Sequence, residues 1–313
     1  MAYIAKKFMQ LILTLVLVSI ITFAAFWIVP GDPARIILGP NATPEQVSLL
    51  SEELGLDRPL GVRYLEWLGG ALTLDMGESL SFNTPVTDLI AQKLPVTLAL
   101  SVISLLMTMI VSFPLAMIAA RRPGKFADHV VSVVTHSFFA VPPFVLSLFL
   151  TLIFGIGLNL FQVGRFVSHN QDFWGFIGYL IMPSIAIALP KIAMALKFIR
   201  SSILSEKEKD YVRTAKSHGL SDSDVMRKHI LPNALVPVIT VFAIISADIL
   251  GGSLIVEQVF GLPGIGRLLL QGISSRDFPL TEGIIIYLAG MIAVVYFIAD
   301  IMHSLIDPRI RLK

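Results

Sequence analysis

Few residues in this chain have the types and spacing that catalysis or metal binding requires. Gly124-Lys125 lacks the leading glycine of a phosphate-binding loop, because Ala119 occupies that position. The glycine-rich run from 261 to 266 follows a long apolar stretch, so it indicates a turn rather than a dinucleotide-binding fingerprint. The six histidines are scattered and cysteine is absent, which leaves no thiolate metal site. The sequence therefore predicts no catalytic residue, no metal site and no cofactor bound by this chain.

Three ionisable side chains lie within long apolar stretches, where a charge in a bilayer costs at least about 2.5 kcal/mol. Asp248 could contact a cationic group on its way through a membrane, or it could pair with a neighbouring subunit, and the sequence leaves both open. Ser253 is a second candidate for such a pathway. Lys191 is expected to extend its ammonium group toward the membrane surface, and Asp300 is expected to lie close to that surface.

A polar segment with a helical pattern lies between two long apolar stretches in the second half of the chain. A helix is predicted from Glu206 to His218, and Gly219 fits a left-handed cap at its end. Ser221 and Asp224 form a capping-box pattern that begins a second helix, which runs into Leu231-Pro232. A compact corner of this kind, without a nucleotide site of its own, indicates a segment that receives force from a partner. A solvated hairpin is the alternative.

The composition is that of an integral membrane protein. Hydrophobic residues make up 55% of the chain and charged residues 15%, whereas soluble domains carry about a quarter charged residues. The first apolar run, of about 22 residues, exceeds the 7–15 of a cleavable signal peptide, so an uncleaved span is favoured. A spanning helix needs roughly 20 apolar residues, and six stretches qualify: 8–29, 97–120, 130–157, 177–198, 235–256 and 283–305.

The distribution of basic residues predicts that both termini are cytoplasmic. With six spans, sixteen Lys and Arg residues fall on the side of the termini and seven on the other side, although the loops on that other side are much longer. Cytoplasmic loops are the ones enriched in Lys and Arg. The polar segment, about residues 200–233, is then a cytoplasmic loop.

This topology predicts three parts: a transmembrane helix at 1–30, an extracytoplasmic loop region at 31–96, and a core with five transmembrane helices at 97–313. The long outer loop carries its own helical signals. Thr43 is expected to cap a helix that ends near Gly55, and a second helix is expected around Tyr64 and Trp67. The loop could be a lid on the membrane surface or a surface that contacts a soluble partner, and the sequence does not decide between them.

The polar segment resembles that of the permease subunits of bacterial ABC importers. These carry Glu-Ala-Ala, three residues, Gly, nine residues, Ile, one residue and Leu-Pro. Here Arg213-Thr214-Ala215 precedes Gly219 at that spacing, His229 stands at the Ile position, and Leu231-Pro232 closes the pattern. The form Tyr-x-Arg-Thr-Ala, beginning at Tyr211, is similar to the dipeptide, oligopeptide and nickel branch.

Further landmarks of that branch extend over almost the whole chain, in order: Pro30-Gly31-Asp32-Pro33, Leu54-Gly55-Leu56-Asp57-Arg58-Pro59-Leu60, Pro95-x-Thr97-Leu98, Gly251-Gly252-Ser253, Glu257-x-Val259-Phe260, Leu262-Pro263-Gly264-Ile265-Gly266-Arg267, Arg276-Asp277-Phe278-Pro279 and Asp307-Pro308-Arg309. The resemblance implies an all-α permease of the type I ABC importer fold in the bacterial inner membrane. It also implies a second, homologous permease, two cytoplasmic ATPase subunits that bind ATP and Mg, and an extracytoplasmic solute-binding protein.

The resemblance also assigns a role to the polar segment, which would dock into a groove of one ATPase subunit and couple ATP hydrolysis to alternating access. The residues expected to carry this coupling are Tyr211, Arg213, Thr214, Ala215, Lys216, Gly219, Leu231 and Pro232. Arg213 and Lys216 would pair with acidic groups of the partner, and Tyr211 and Val212 would supply an apolar anchor.

Two other classes are weighed against a coupled permease. A self-contained secondary transporter commonly shows inverted repeats, and none is evident here; a structural scaffold would not need the polar corner. Peptides, nickel chelates and related small solutes all fit the resemblance, with a dipeptide or oligopeptide as the default.

Overall fold

The computed structural model describes residues 2–28, 33–39, 41–53, 55–121 and 123–306. Within these ranges the regular elements are helical, apart from one bridge between Glu78 and Pro85. The helices are α1 (Ala2–Ile28), α2 (Pro33–Leu38), α3 (Pro44–Glu53), α4 (Leu60–Leu72), α5 (Val86–Arg121), α6 (Phe126–Phe139), α7 (Pro143–Leu150), α8 (Phe173–Lys207), α9 (Asp210–Ser217), α10 (Asp222–Val225), α11 (Leu231–Ala234), α12 (Val236–Phe260), α13 (Ile265–Ser274) and α14 (Phe278–Ile306).

Five of these helices, α1, α5, α8, α12 and α14, are long and apolar enough to cross a membrane. They correspond to the first, second, fourth, fifth and sixth predicted spans. All five are longer than the predicted spans: α5 has 36 residues and α8 has 35. α8 includes Pro183 and Pro190 without interruption, as transmembrane helices can when neighbouring groups satisfy the freed carbonyls.

The predicted third span, 130–157, is not a single helix, and that prediction is wrong in its geometry. The segment divides into α6 and α7, which meet at an angle of 97°. Val141-Pro142-Pro143 lies at the break, and proline removes a backbone donor and disfavours helical backbone at the preceding residue. A π-helical turn, Thr151–Gly157, extends α7. Neither α6 nor α7 alone is long enough to cross a membrane, but the two together reach the length and apolarity of a span. The described helices therefore give six crossings only if the bent pair is counted as one span.

The two helices predicted in the outer loop are confirmed. Thr43 and Gln46 cap α3 reciprocally, with the Gln46 N–H donating to Thr43 Oγ1 at 3.3 Å and the Thr43 N–H donating to Gln46 Oε1 at 3.0 Å. α4 places Tyr64 and Trp67 against Phe23 of α1, with ring centroids 5.5 and 6.0 Å from that ring. Tyr64 also forms a 2.8 Å hydrogen bond with Ser19. Tyr64 and Trp67 therefore both pack against α1 of their own chain.

The chain divides into two compact units, one of 1–4, 97–262 and 295–313 and one of 5–96 and 263–294. In the first unit α8 is the central helix, and it contacts α6, α7 and α12. The fully buried side chains of this core include Leu180, Ile187, Ile199 and Ile203 of α8 and Ile245 and Ile249 of α12. The predicted division at 1–30, 31–96 and 97–313 follows membrane topology, which these contacts do not test, and it stays a prediction.

In the second unit a buried carboxylate joins the outer loop to the start of α14. Asp277 accepts hydrogen bonds from the Ser79 hydroxyl at 2.5 Å and the Ser81 N–H at 2.9 Å. It also accepts one from the Leu280 N–H at 3.2 Å, which is the bond of a helix N-cap. Three donors stabilise a charge that burial alone would disfavour. The Arg276-Asp277-Phe278-Pro279 landmark therefore has a structural role.

Two other landmarks meet in the first unit. Thr97, from the Pro95-x-Thr97-Leu98 pattern, donates a 2.7 Å hydrogen bond to the carboxylate of Glu257, from the Glu257-x-Val259-Phe260 pattern. Both side chains are buried, and the bond links α5 to α12. The landmark residues Pro30 to Asp32, Leu54 and Asp307 to Arg309 lie outside the described residues.

Candidate functional site

The polar segment contains a break that the sequence pattern did not predict. The helix expected from Glu206 to His218 is two helices, because α8 ends at Lys207 and α9 begins at Asp210. Lys209 has extended backbone between them, with φ −72° and ψ 149°. The Glu206 carboxylate holds this junction, since it accepts from Lys209 Nζ at 2.7 Å and from the Tyr211 hydroxyl at 2.6 Å.

The corner after α9 has the predicted caps. Gly219 has φ +80°, in the left-handed region that costs a residue with a side chain about 1–2 kcal/mol. Its N–H donates to the Lys216 carbonyl at 3.0 Å, and the Leu220 N–H donates to the Ala215 carbonyl at 3.4 Å. These two bonds define a Schellman motif.

The second helix of the corner also begins as predicted. The Asp224 N–H donates to Ser221 Oγ at 3.1 Å, and the Ser221 hydroxyl donates to the Asp224 carboxylate at 2.6 Å. α10 then continues through a π-helical turn, Met226–Ile230, into α11. The glycine corner and the second helix predicted from the sequence are confirmed, whereas the first helix is confirmed only from Asp210 to Ser217.

α9 has one face turned into the chain and one turned outward. Val212 and Ala215 are buried, whereas the side chains of Arg213 and Lys216 are 79% and 55% exposed. The expectation that Val212 anchors a partner is therefore wrong, because its side chain is buried against its own chain. Tyr211 is half-buried, and its part in coupling stays a prediction. The outward groups are Arg213, Thr214, Lys216 and the backbone at Gly219.

Exposed ion pairs on this face leave its basic groups accessible. Arg213 lies 3.7 Å from Asp210, and Lys216 lies 2.8 Å from Asp222. All four side chains are more than half exposed, and exposed pairs of this kind contribute little to stability. Lys216 lowers the pKa of Asp222 through their hydrogen bond. Arg213 and Lys216 can therefore exchange these partners for acidic groups on another protein.

Tyr211 connects the parts of the segment. Its hydroxyl donates to Glu206 and lies 3.3 Å from the His229 carbonyl, and the Asn233 amide donates to it at 3.5 Å. Asn233 also donates to the His229 carbonyl at 2.8 Å. The end of α8, the start of α9 and the turn before α11 are thus held together at one side chain, next to Leu231 and Pro232.

The pKa of Tyr211 provides a test of this connection. Burial, together with the nearby Glu206 carboxylate, raises the pKa to about 12, above its ordinary value of about 10. The folded chain therefore holds this proton more tightly than the unfolded chain, and the associated stability is complete below about pH 10 and lost as the pH rises through about 12. We expect the tyrosinate absorbance that distinguishes the wild type from Tyr211→Phe to titrate near pH 12. The same difference measured in denaturant should titrate near 10, and a midpoint near 10 in the folded chain would contradict the connection.

The two ionisable groups near the centres of α8 and α12 form an ion pair. Lys191 Nζ donates to the Asp248 carboxylate. The expectation that Lys191 extends toward the membrane surface is wrong, because its ammonium group instead pairs with Asp248 of the neighbouring helix. The Lys191 side chain is only 12% exposed, while that of Asp248 is 54% exposed. The acid pairs within its own chain and still presents half of its side chain outward.

Ser253 lies on a different part of α12. Its side chain is fully buried, and its hydroxyl donates to the Leu250 carbonyl at 3.0 Å. The structure therefore does not bring Ser253 and Asp248 together at one surface. A place for Ser253 in a pathway stays a prediction.

Sequence reasoning missed several residues that position the polar segment. Glu206 and Asn233 form the bonds to Tyr211 described above. Arg200 binds the buried Asp128 carboxylate through two bonds, Nε at 2.6 Å and Nη2 at 2.8 Å, which joins α8 to α6. Of these contacts, only the Lys209–Glu206 ion pair could have been predicted from spacing, because its residues are three positions apart. Asp128 and Arg200 are too far apart in sequence for any spacing rule to pair them.

Long apolar helices joined by a capped polar corner are the features of an integral membrane protein. The chain belongs to the family described as binding-protein-dependent transport system inner membrane component, whose model matches residues 112–312. A companion model for the N-terminal part of such membrane components matches residues 1–101. The chain is accordingly a multi-pass inner-membrane protein and a transporter subunit rather than an enzyme.

Relatives and a solved structure agree with this assignment. The chain is 34% identical to the probable peptide ABC transporter permease protein y4tP of Sinorhizobium fredii over 309 residues, 99% of each chain. It is 33% identical to the oligopeptide transport system permease protein AppB of Bacillus subtilis over 312 residues, again 99% of each. A chain of the MetNI methionine ABC transporter, solved in inward-facing conformations, is 17% identical with a TM-score of 0.56, covering 70% of this chain and 96% of that one. The last comparison shows the fold.

Proposed function

We propose that this ABC importer permease moves peptides, and that its polar segment is where separate ATPase subunits act on it. The observation that carries the coupling role is the outward face of α9. Arg213, Thr214 and Lys216 point away from a helix whose other face is buried, and a left-handed Gly219 ends it. The helix is anchored to α8 through Tyr211 and Glu206, so a push on it reaches a long transmembrane helix.

A peptide cargo is supported by the relatives. Both permeases compared above carry peptide or oligopeptide transport in their names and align along nearly the whole chain. A small solute such as a nickel chelate remains the other cargo that the sequence motifs suggest.

The proposed assembly contains four further subunits. A second, homologous permease completes the passage, two cytoplasmic ATPases bind ATP and Mg, and an extracytoplasmic solute-binding protein delivers the cargo. The sequence supports separate ATPases because it lacks a phosphate-binding loop.

Asp248 is our candidate pathway residue. Its exposed half lies near the middle of the 25-residue α12, where a carboxylate facing lipid would be costly. A water-filled passage or the sister permease is the environment that suits it. In a passage, it would offer a negative site to the ammonium group of a peptide.

The assembly can be tested by purification of the tagged chain from its own membranes. We expect a second permease and two ATPase subunits to co-purify, and peptide uptake into proteoliposomes to require ATP and the binding protein. If the chain alone moves solute in response to an ion gradient, it is a secondary transporter and the proposal fails.

A further inference from the structure

A cavity of about 500 Å³ lies between the end of α5 and the polar segment. Four basic residues line it: Arg121 of α5, Lys207 of α8, Lys216 of α9 and Arg227 of the π-helical turn. Its size is within the range of about 300–1,000 Å³ that small-molecule sites occupy. All the lining residues belong to the first compact unit.

The cavity has an excess of positive charge that the chain does not neutralise. Asp222 is the acidic residue among those lining it, and it pairs with Lys216. Arg121 and Arg227 form no ion pair with any residue that the structure describes. Two guanidinium groups, each able to bind phosphate oxygens through two N–H groups, are therefore free to receive an anion.

The remaining groups favour an anion that also has an apolar part. Lys207 Nζ donates to the Ala120 carbonyl, which covers part of the negative carbonyl end of α5 that would repel an anion. Met117, Val225 and Ile230 supply apolar wall. Arg121 directly follows the apolar run of α5, which ends at Ala120, so the cavity lies at membrane-surface depth, where basic pockets between helices bind lipid head groups.

We propose that this cavity binds a phosphate-bearing anion, the head group of an anionic phospholipid, at the cytoplasmic surface. The guanidinium groups of Arg121 and Arg227 hold the phosphate, and the apolar wall receives the glycerol end of the acyl chains. A bound lipid would join α5 to the polar segment. This inference does not depend on the cargo or on the proposed assembly.

The test uses the full chain, with any subunits that co-purify with it, in nanodiscs of phosphatidylcholine with or without phosphatidylglycerol. Native mass spectrometry measures retained phosphatidylglycerol. Arg121→Gln with Arg227→Gln should reduce retention about 100-fold, because each guanidinium loses a charge-assisted hydrogen bond to phosphate that contributes about tenfold. Lys125→Gln with Lys197→Gln removes the same charge from exposed sites outside the cavity and should retain lipid like the wild type.

Two further arms complete the test. Lys at both Arg positions should restore part of the retention, because Lys keeps the positive charge but not the paired N–H groups. Either single Gln variant should reduce retention about tenfold, which gives an answer even where the double variant does not fold. In the second arm, inorganic phosphate is added to the protein in phosphatidylcholine nanodiscs, and the thermal unfolding midpoint is measured. If phosphate raises the midpoint of the wild type but not that of the cavity variant, the cavity is an anion site for soluble phosphate rather than for a lipid head group. Equal lipid retention by the wild type and the cavity variants, with no effect of phosphate, would overturn the proposal.

Discussion

Replacing Gly219 by Asp is expected to uncouple ATP hydrolysis from transport while the protein stays in the membrane. The substitution places a side chain at φ +80° and a negative charge at the carbonyl end of α9, where the helix dipole opposes it. No atom lies within 4 Å of the position a Cβ would take, so the chain itself can accommodate the side chain. We expect peptide uptake per ATP hydrolysed to fall by about tenfold or more, in the range of coupling free energies of 1–3 kcal/mol.

A second glycine provides the matched control. Gly124 has φ +75° with no atom within 4 Å of a Cβ, and it lies in the loop between α5 and α6 rather than in the polar segment. Gly124→Ala therefore imposes the same backbone strain and should transport normally. The measurement is uptake together with ATPase rate in proteoliposomes. If Gly219→Asp shows normal peptide uptake per ATP hydrolysed, the proposal that an ATPase subunit docks at this corner is contradicted.

Removing the acid of the ion pair between α8 and α12 is expected to cost about 1–3 kcal/mol of unfolding free energy, the cost of leaving a buried polar group without its partner. The loss is smaller than for a fully buried pair, because the Asp248 side chain is half exposed. Asp248→Asn leaves Lys191 charged, only 12% exposed and without its carboxylate. Lys191→Met with Asp248→Asn removes both charges and should recover most of the loss. Denaturant titration of the purified protein in mixed micelles measures each variant.

The other single variant distinguishes the environments of Asp248. Lys191→Met leaves the carboxylate, whose side chain is 54% exposed. If its exposed half faces a water-filled passage, hydration compensates and the variant should lose much less stability than Asp248→Asn. A loss as large as that of Asp248→Asn would place the acid against lipid or an apolar partner surface and would count against a pathway role.

The sequence predicted those features that depend on neighbouring residues. The caps at Thr43, Gly219 and Ser221 each involve bonds within five residues, so their patterns are visible in the chain. The long apolar helices were predicted for the same reason, since length and composition are local properties. Their ends were less well predicted, because helices extend beyond the membrane core without a change in apolar pattern.

Contacts between distant residues could not be predicted. Thr97 with Glu257, Arg200 with Asp128 and Lys191 with Asp248 join positions that only the packing of α8, α12 and their neighbours brings together. The sequence marked Asp248 and Lys191 as unusual but offered no reason to pair them. The 97° angle between α6 and α7 was missed for a different reason: the span was predicted from apolar length alone, without regard to the Pro142-Pro143 pair within it.

The unbroken length of α8 has a mechanical consequence. Its 35 residues extend over about 50 Å, and the Tyr211 and Glu206 bond fastens α9 to one extremity. A rod of that length that pivots near its midpoint by about 10° swings each tip by roughly 4 Å. Lys191, close to the midpoint, would barely shift, so the salt bridge to Asp248 could serve as a fulcrum while the tips travel in opposite directions.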